Sequence, residues 1–223
     1  MHKEWSELNK TMQLQLKKEA TYREGIDTLL LLRKTLMEEL LTLKNELKRE
    51  AFDAIPFINA NGYHSKTIAY SIWHIFRIED IVAHSLIKGD EQVFFAGNYQ
   101  ARIQSPIITT GNELVKEQIA EFSKQLDIDE LYQYMKEVKD SSDQLLLDLS
   151  YADLKRKMTE KEKEYVNSLH VVSTEESAYW LIDYWCKKNV RGLLQMPFSR
   201  HWIMHVEAIG RIKQKIHAAS YPF

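Results

Sequence analysis

A regular leucine repeat runs through the segment 29–47. Its members recur at intervals of three and four residues, and they are Leu29, Leu32, Leu36, Leu40, Leu43 and Leu47. This period places them on one face of an α-helix, so the repeat predicts a long amphipathic helix over residues 29–50. Glycine and proline, the residues that most often end helices, number only seven and four among 223 residues. The chain is therefore predicted to be almost entirely helical.

The turn-forming residues divide the rest of the chain into further predicted helices. These span residues 6–21, 65–88, 127–151 and 174–194, with breaks near Gly25 and at Gly89, a helix start at 110–113, and a last helix after Pro197. Residues 90–106 have no sustained period. Their aromatic stretch at 94–99 predicts a structured loop that forms a lid or wall beside a pocket.

The composition limits which binding partners and which cellular compartment are expected for this chain. The chain carries 30 Lys and Arg against 32 Asp and Glu, so bulk charge favours neither nucleic acid nor an anionic membrane. No segment approaches the roughly twenty uninterrupted apolar residues of a membrane span. A single cysteine, Cys186, cannot form an intramolecular disulfide, and the first residues lack the apolar core of a signal peptide. These features predict one domain in the cytoplasm.

Two histidines near the C-terminus, His201 and His205, are four residues apart. In a helix they share a face with the apolar residues Phe198, Ile209 and Ile212, so both rings are expected to point inward. A divalent metal ion would satisfy two buried imidazoles. Core histidines that are hydrogen-bonded to backbone or carboxylate groups are the alternative.

A third histidine, His74, lies among apolar residues in the segment 72–78, which reads as a mostly buried helix. A lone histidine in such a helix is more often a satisfied core residue than a metal ligand. With His201 and His205, however, it could complete a facial set of three nitrogen ligands.

The run Ser-Ile-Trp-His-Ile-Phe-Arg-Ile-Glu-Asp at 71–80 resembles the second-helix motif of the DinB/YfiT superfamily of metalloenzymes. The run Arg-His-Trp-Ile-Met-His at 200–205 resembles the His-x-x-x-His motif on the last helix of that superfamily. The resemblance covers residues 25–217 and implies an all-α, DinB-like four-helix bundle with up-down-down-up topology. Residues 1–24 would be an N-terminal extension, and a long insertion would lie between residues 90 and 128.

The resemblance also implies chemistry. It assigns His74, His201 and His205 as ligands of a divalent transition metal (zinc, nickel or iron), with water completing the coordination. Members often have glutamine where this chain has Ala208. The family includes transferases that use a low-molecular-weight thiol and hydrolase-like members, and family precedent suggests a homodimer.

Several neighbours of the histidines are candidate pocket residues. Tyr70 lies one helical turn before His74 and could serve as a proton donor or hydrogen-bond partner. Arg77 lies almost one turn after His74 and could bind an anionic group of a substrate, or it could form an ion pair. Glu79 is expected to form a structural salt bridge. The rings of Trp180, Trp185 and Trp202 are expected to pack in the core and to wall the pocket, and His64, His84 and His217 are expected at the surface or rim.

The sequence thus predicts a metal-dependent enzyme of small-molecule stress or detoxification chemistry. Thiol-dependent S-transfer and metal-assisted hydrolysis both fit a three-histidine site with an open coordination position. The substrate would be a small molecule, without nucleic acid or membrane as partner. A bundle that binds a metal or a ligand without turnover is the alternative.

Overall fold

The computed structural model describes residues 2–220, and this part of the chain is helical, as predicted, with no strands. Its only β pairing is an isolated bridge between Lys157 and Asn189. The α-helices are α1 (Lys3–Gln15), α2 (Tyr22–Glu46), α3 (Ile68–Asp80), α4 (Val93–Ala96), α5 (Tyr99–Ile103), α6 (Glu117–Gln125), α7 (Ile128–Asp148), α8 (Glu160–Ser168), α9 (Glu176–Cys186), α10 (Val190–Leu194) and α11 (His201–Ser220). No helix in the described range is long and apolar enough to cross a membrane.

The first two helices, α1 and α2, pack along each other. The break between them lies at residues 16–21, whereas the predicted break near Gly25 is wrong, because Gly25 is buried inside α2. A Cβ atom at Gly25 would lie 2.8 Å from Cδ2 of Leu16 and 3.0 Å from its backbone nitrogen, so a side chain at this position would force Leu16 to shift. Gly25 therefore does not end a helix. It instead allows α1 and α2 to approach each other closely.

Helix α3 is buried along its whole length. The hydroxyl of Thr67 caps its start by accepting a hydrogen bond from the backbone N–H of Tyr70 at 3.0 Å. After Asp80 the chain continues as a π-helix over Ile81–Lys88, which ends at Gly89 with a φ of 75°. The predicted helix end at Gly89 is confirmed. Glycine suits this position because it adopts the left-handed conformation at little cost in free energy.

Four long helices pack around the core. Helix α3 contacts α7 and α11, and helix α2 also contacts α7 and α11. The helices that carry the candidate histidines, α3 and α11, are therefore direct neighbours.

Other predicted boundaries are corrected by the structure. Helix α6 begins at Glu117 and not at residues 110–113, which form a loop. The predicted helix over 174–194 is two helices, α9 and α10, and residues 90–106 contain the short helices α4 and α5. The predicted helix start at residue 127 is confirmed, and the carboxylate of Asp127 caps α7 by accepting a hydrogen bond from the N–H of Glu130 at 3.1 Å.

A buried ion pair between Arg33 of α2 and Glu79 of α3 joins the long helices. Two guanidinium nitrogens of Arg33 donate to the two carboxylate oxygens of Glu79, each at 2.8 Å, and both side chains are fully buried. Arg33 also donates to Asp143 of α7 at 2.6 Å, and the indole of Trp202 in α11 donates to Glu79 at 2.7 Å. The predicted structural salt bridge of Glu79 is confirmed.

Candidate metal centre

The fold brings His74 of α3 together with His201 and His205 of α11. The ring centroid of His74 lies 5.0 Å from that of His201 and 5.0 Å from that of His205, and the latter two are 4.7 Å apart. One nitrogen from each ring can be chosen so that all three lie within 4.8 Å of one another. The three residues are 6%, 6% and 2% exposed, in chain order. The three histidines singled out in the sequence thus form one buried cluster.

The start of α11 determines the direction of two of these rings. A π-helical turn over Met196–Arg200 leads directly into His201, and π-helical turns are frequent at functional sites. The face that carries His201 and His205 also carries Phe198, Ile209 and Ile212, all of which are buried. The prediction that both rings point inward is confirmed.

The ring of His74 is oriented by a backbone carbonyl. Its Nδ1 atom lies 2.7 Å from the oxygen of Thr110, and in the neutral ring Nδ1–H donates to that oxygen. The other nitrogen, Nε2, then carries the free lone pair. Histidine ligands of metal ions are usually held by such a bond from their second nitrogen.

The other two histidines have buried nitrogen atoms without hydrogen-bond partners. These atoms are Nδ1 of His201 and both Nδ1 and Nε2 of His205, as judged within the described residues. A buried polar atom without a partner costs about 1–3 kcal/mol. The alternative of core histidines that are fully satisfied by backbone or carboxylate groups therefore describes His74 but not His201 or His205.

Burial keeps the three imidazoles uncharged. It lowers the pKa of His74 to about 4, against an ordinary value of 6.5, although the bond to Thr110 opposes this shift. Burial also lowers the pKa values of His201 and His205 well below the ordinary value, and the neighbouring histidines lower them further. The cluster therefore offers neutral nitrogen lone pairs at neutral pH.

The lowered pKa of His74 predicts an acid-dependent loss of stability in the metal-free protein. Above about pH 6.5 the imidazole is neutral in both the folded and the unfolded chain. Below that value the unfolded chain binds a proton that the folded chain excludes until about pH 4, so stability falls as the pH falls through this window. We expect the stability of the wild type relative to His74→Gln to decrease by roughly 3 kcal/mol between about pH 7 and about pH 4.

Urea denaturation of both proteins in the presence of a chelator measures this difference. The comparison with His74→Gln removes the contributions of carboxylates that titrate in the same range, because both proteins contain them. A difference that stays constant across the range would contradict the prediction.

Tyr70 lies next to His74 but does not offer a free hydroxyl. Its ring stacks on that of His74 at a centroid distance of 5.5 Å and an interplanar angle of 11°. The hydroxyl donates to the carbonyl of Gly111 at 2.9 Å, and burial raises its pKa above the ordinary value. Tyr70 therefore supports the His74 ring, and its hydroxyl bonds the loop behind it.

Arg77 does not line the cavity, and of its two predicted roles the structure shows the ion pair and not a site for a substrate anion. Its side chain is fully buried and donates to the carbonyl of Ile108 at 2.7 Å, to Gln92 at 3.1 Å and to Asp80 at 3.3 Å. Its guanidinium also lies 4.1 Å from the ring centroid of Phe94. Neighbouring groups in the core therefore occupy the hydrogen-bond donors of Arg77 and compensate its charge.

Two further predictions about position are wrong. Phe94 and Tyr99 pack against the Tyr134 ring in the core, and no residue of the segment 94–99 lines the cavity beside the histidines. The segment is therefore neither lid nor wall. His84 is not a surface residue either, because it is buried with Nδ1 2.6 Å from Asp90 and Nε2 3.1 Å from Ser141.

A cavity of about 220 Å³ adjoins the cluster. Two histidines line it together with mostly apolar and aromatic side chains, namely Tyr63, His74, Ile78, Asn112, Trp180, Leu181, Tyr184, Trp185, Met196, Pro197 and His201. Trp180 and Trp185 wall the pocket as predicted, whereas Trp202 packs on Phe76 and does not.

Residues from irregular segments complete the surroundings of the cluster, and the sequence patterns did not single them out. The ring of Tyr63 meets that of His205 edge-on at 4.8 Å. The ammonium of Lys66 lies 5.2 Å from the ring centroid of Tyr70, and burial lowers its pKa. Glu113 has a buried carboxylate oxygen without a hydrogen-bond partner in the described part of the chain. No periodicity marks such residues, because their segments have none.

No protein-family model matches the chain, and no curated protein is significantly similar to it. The DinB/YfiT resemblance therefore stays a prediction that rests on the motifs at residues 71–80 and 200–205.

Proposed function

We propose that His74, His201 and His205 hold a divalent transition metal ion (zinc, nickel or iron) in a DinB-like helical protein. The observation that carries the proposal is the convergence of three neutral, buried imidazoles whose nitrogens lack partners on two of the rings. A metal ion is the ligand that satisfies several such nitrogens at once.

The residues fit this ion. Nε2 of His74 is free because Nδ1 donates to Thr110, and each of the other rings has a buried nitrogen to offer. A tetrahedral zinc site with three histidines keeps its fourth position for water or substrate. His74 and His201 also line the cavity, so an open position on that side would face a space that a small molecule can enter.

We further propose thiol-dependent transfer as the chemistry. A bound ion of this kind lowers the pKa of a thiol or water at its open position. Hydrolysis would also call for a general base, yet no carboxylate or lysine is among the described residues that line the cavity. A thiol is far more acidic than water, so a thiol held there would release its proton to solvent without such a base, and the lining favours this reaction. The sulfur would then bond to the electrophilic atom of the substrate, and the displaced group would leave with the electron pair of the broken bond.

The bundle topology is part of the same proposal. The contacts of α3 and α2 with both α7 and α11 support a four-helix bundle built from these helices. An up-down-down-up order of the four helices is what the resemblance implies for them.

Metal analysis of protein purified without a metal-affinity tag tests the proposal. We expect about one ion per chain, removal of that ion by a chelator, and loss of thiol-dependent turnover of electrophiles on its removal. Metal binding without any turnover would favour a non-catalytic binding protein. A chain that binds no divalent transition metal at neutral pH would overturn the proposal.

A further inference from the structure

The cavity beside His74 and His201 has a composition that selects one kind of ligand. We infer that it binds a neutral, largely apolar molecule the size of a single aromatic ring with a short substituent, and that the metal-free protein excludes charged molecules from it. The inference deepens the proposed function, on which it rests for the direction in which the reactive end of the ligand points.

The volume sets the size of the ligand. A dry apolar cavity of about 150 Å³ is enough to bind benzene. The volume of about 220 Å³ here therefore accommodates one ring and a few further atoms.

The walls set the shape and polarity. The rings of Trp180 and Tyr184 pack edge to face at 5.6 Å, and Trp185 adds a third ring from the same helix, α9. Aromatic faces and edges favour another flat ring. Trp180 is 50% exposed, so the cavity reaches the surface beside this side chain.

The absence of charge sets the selectivity. No Lys, Arg, Asp or Glu is found among the described residues that line the cavity. In the metal-free protein an ionised group buried there would lose its hydration without gaining a partner, which is costly. The nearby cation of Lys66 lies over the Tyr70 ring and is not one of the lining groups.

The amide side chain of Asn112, which lines the cavity, can orient the ligand. The amide oxygen of Asn112 accepts a hydrogen bond from the hydroxyl of Thr110 at 2.8 Å. The NH₂ group of Asn112 is then available to donate to a polar atom of the ligand. That atom would lie at the end of the cavity lined by His74 and His201, where the proposed ion is held.

Fluorine NMR titrations with para-fluorotoluene and para-fluorobenzoate test the inference. The two probes differ by one charged group. We expect the metal-free wild type, kept so by a chelator, to bind para-fluorotoluene and to bind para-fluorobenzoate at least tenfold more weakly. Trp180→Ala is expected to weaken para-fluorotoluene binding about tenfold.

Tyr179→Ala is the matched control, because Tyr179 lies on the same helix and is also 50% exposed but does not line the cavity. It should leave the affinity unchanged within about twofold. Failure of the wild type to bind para-fluorotoluene, equal affinity for both probes, or equal effects of the two variants would overturn the inference. If the expected binding is seen but zinc does not bind, the proposed function falls and the cavity assignment stands.

Discussion

We expect His74→Ala, His201→Ala and His205→Ala each to weaken zinc binding more than about 100-fold. Loss of a group that merely orients a ligand already costs roughly 10–100-fold in metal affinity, and loss of the ligand itself costs more. Each substitution leaves two nitrogens, so the three variants should behave alike. Calorimetric zinc titration at neutral pH measures the effect, and circular dichroism checks that each variant folds.

His217→Ala is the appropriate control, because His217 is exposed near the end of α11 and makes no contact with the cluster. His84→Ala is a poor control, since His84 is buried against Asp90 and Ser141 and its loss would disturb the core. If His74→Ala kept wild-type affinity, the three-histidine site would have to be abandoned.

The second large effect is expected at Glu79. Glu79→Ala leaves the guanidinium of Arg33 fully buried without the carboxylate that accepts two of its hydrogen bonds. Breaking a buried ion pair by removing one partner typically costs about 3–5 kcal/mol. Since Asp143 still contacts Arg33, part of the charge stays compensated, and we expect a loss near the lower end of this range. Urea denaturation at neutral pH measures the loss.

An exposed ion pair on α2, the helix that carries Arg33, provides a matched control. Lys34 and Glu38 form an exposed ion pair on α2, with side chains 69% and 59% exposed. Glu38→Ala removes the same charge but should cost less than about 1 kcal/mol, because exposed pairs contribute little. Similar losses for Glu79→Ala and Glu38→Ala would contradict the proposed role of the buried pair.

The sequence predicted those features that depend on local period and capping. The leucine repeat predicted a long helix where the structure has α2. Gly89 predicted the end of the helical segment that follows α3, and the turn-forming residues predicted a helix start at residue 127, which is the N-cap of α7. The convergence of His74 with the two later histidines came from their inward faces together with the family resemblance. Period alone does not determine which helices become neighbours.

The wrong predictions share a physical cause. A helical wheel gives the direction of Arg77 relative to His74, but α3 is buried on every side, so each direction meets a different neighbour. Arg77 meets Gln92 and the carbonyl of Ile108 and not the cavity. The cavity walls Tyr63 and Asn112 come from irregular segments, whose positions depend on tertiary contacts that no local pattern records.

The ion pair of Arg33 and Glu79 also helps to fix the positions of the three histidines before any metal ion binds. Glu79 is five residues after His74 on α3, and Trp202, which donates to Glu79, directly follows His201 on α11. The spacing of the two helices that carry the three histidines is thus held by a contact that contains none of these histidines. The entropy of bringing the three rings together is lost when the chain folds and not when an ion arrives. Unlike a zinc finger, which unfolds without its metal, this scaffold is expected to keep both its fold and the arrangement of the three histidines when no ion is bound.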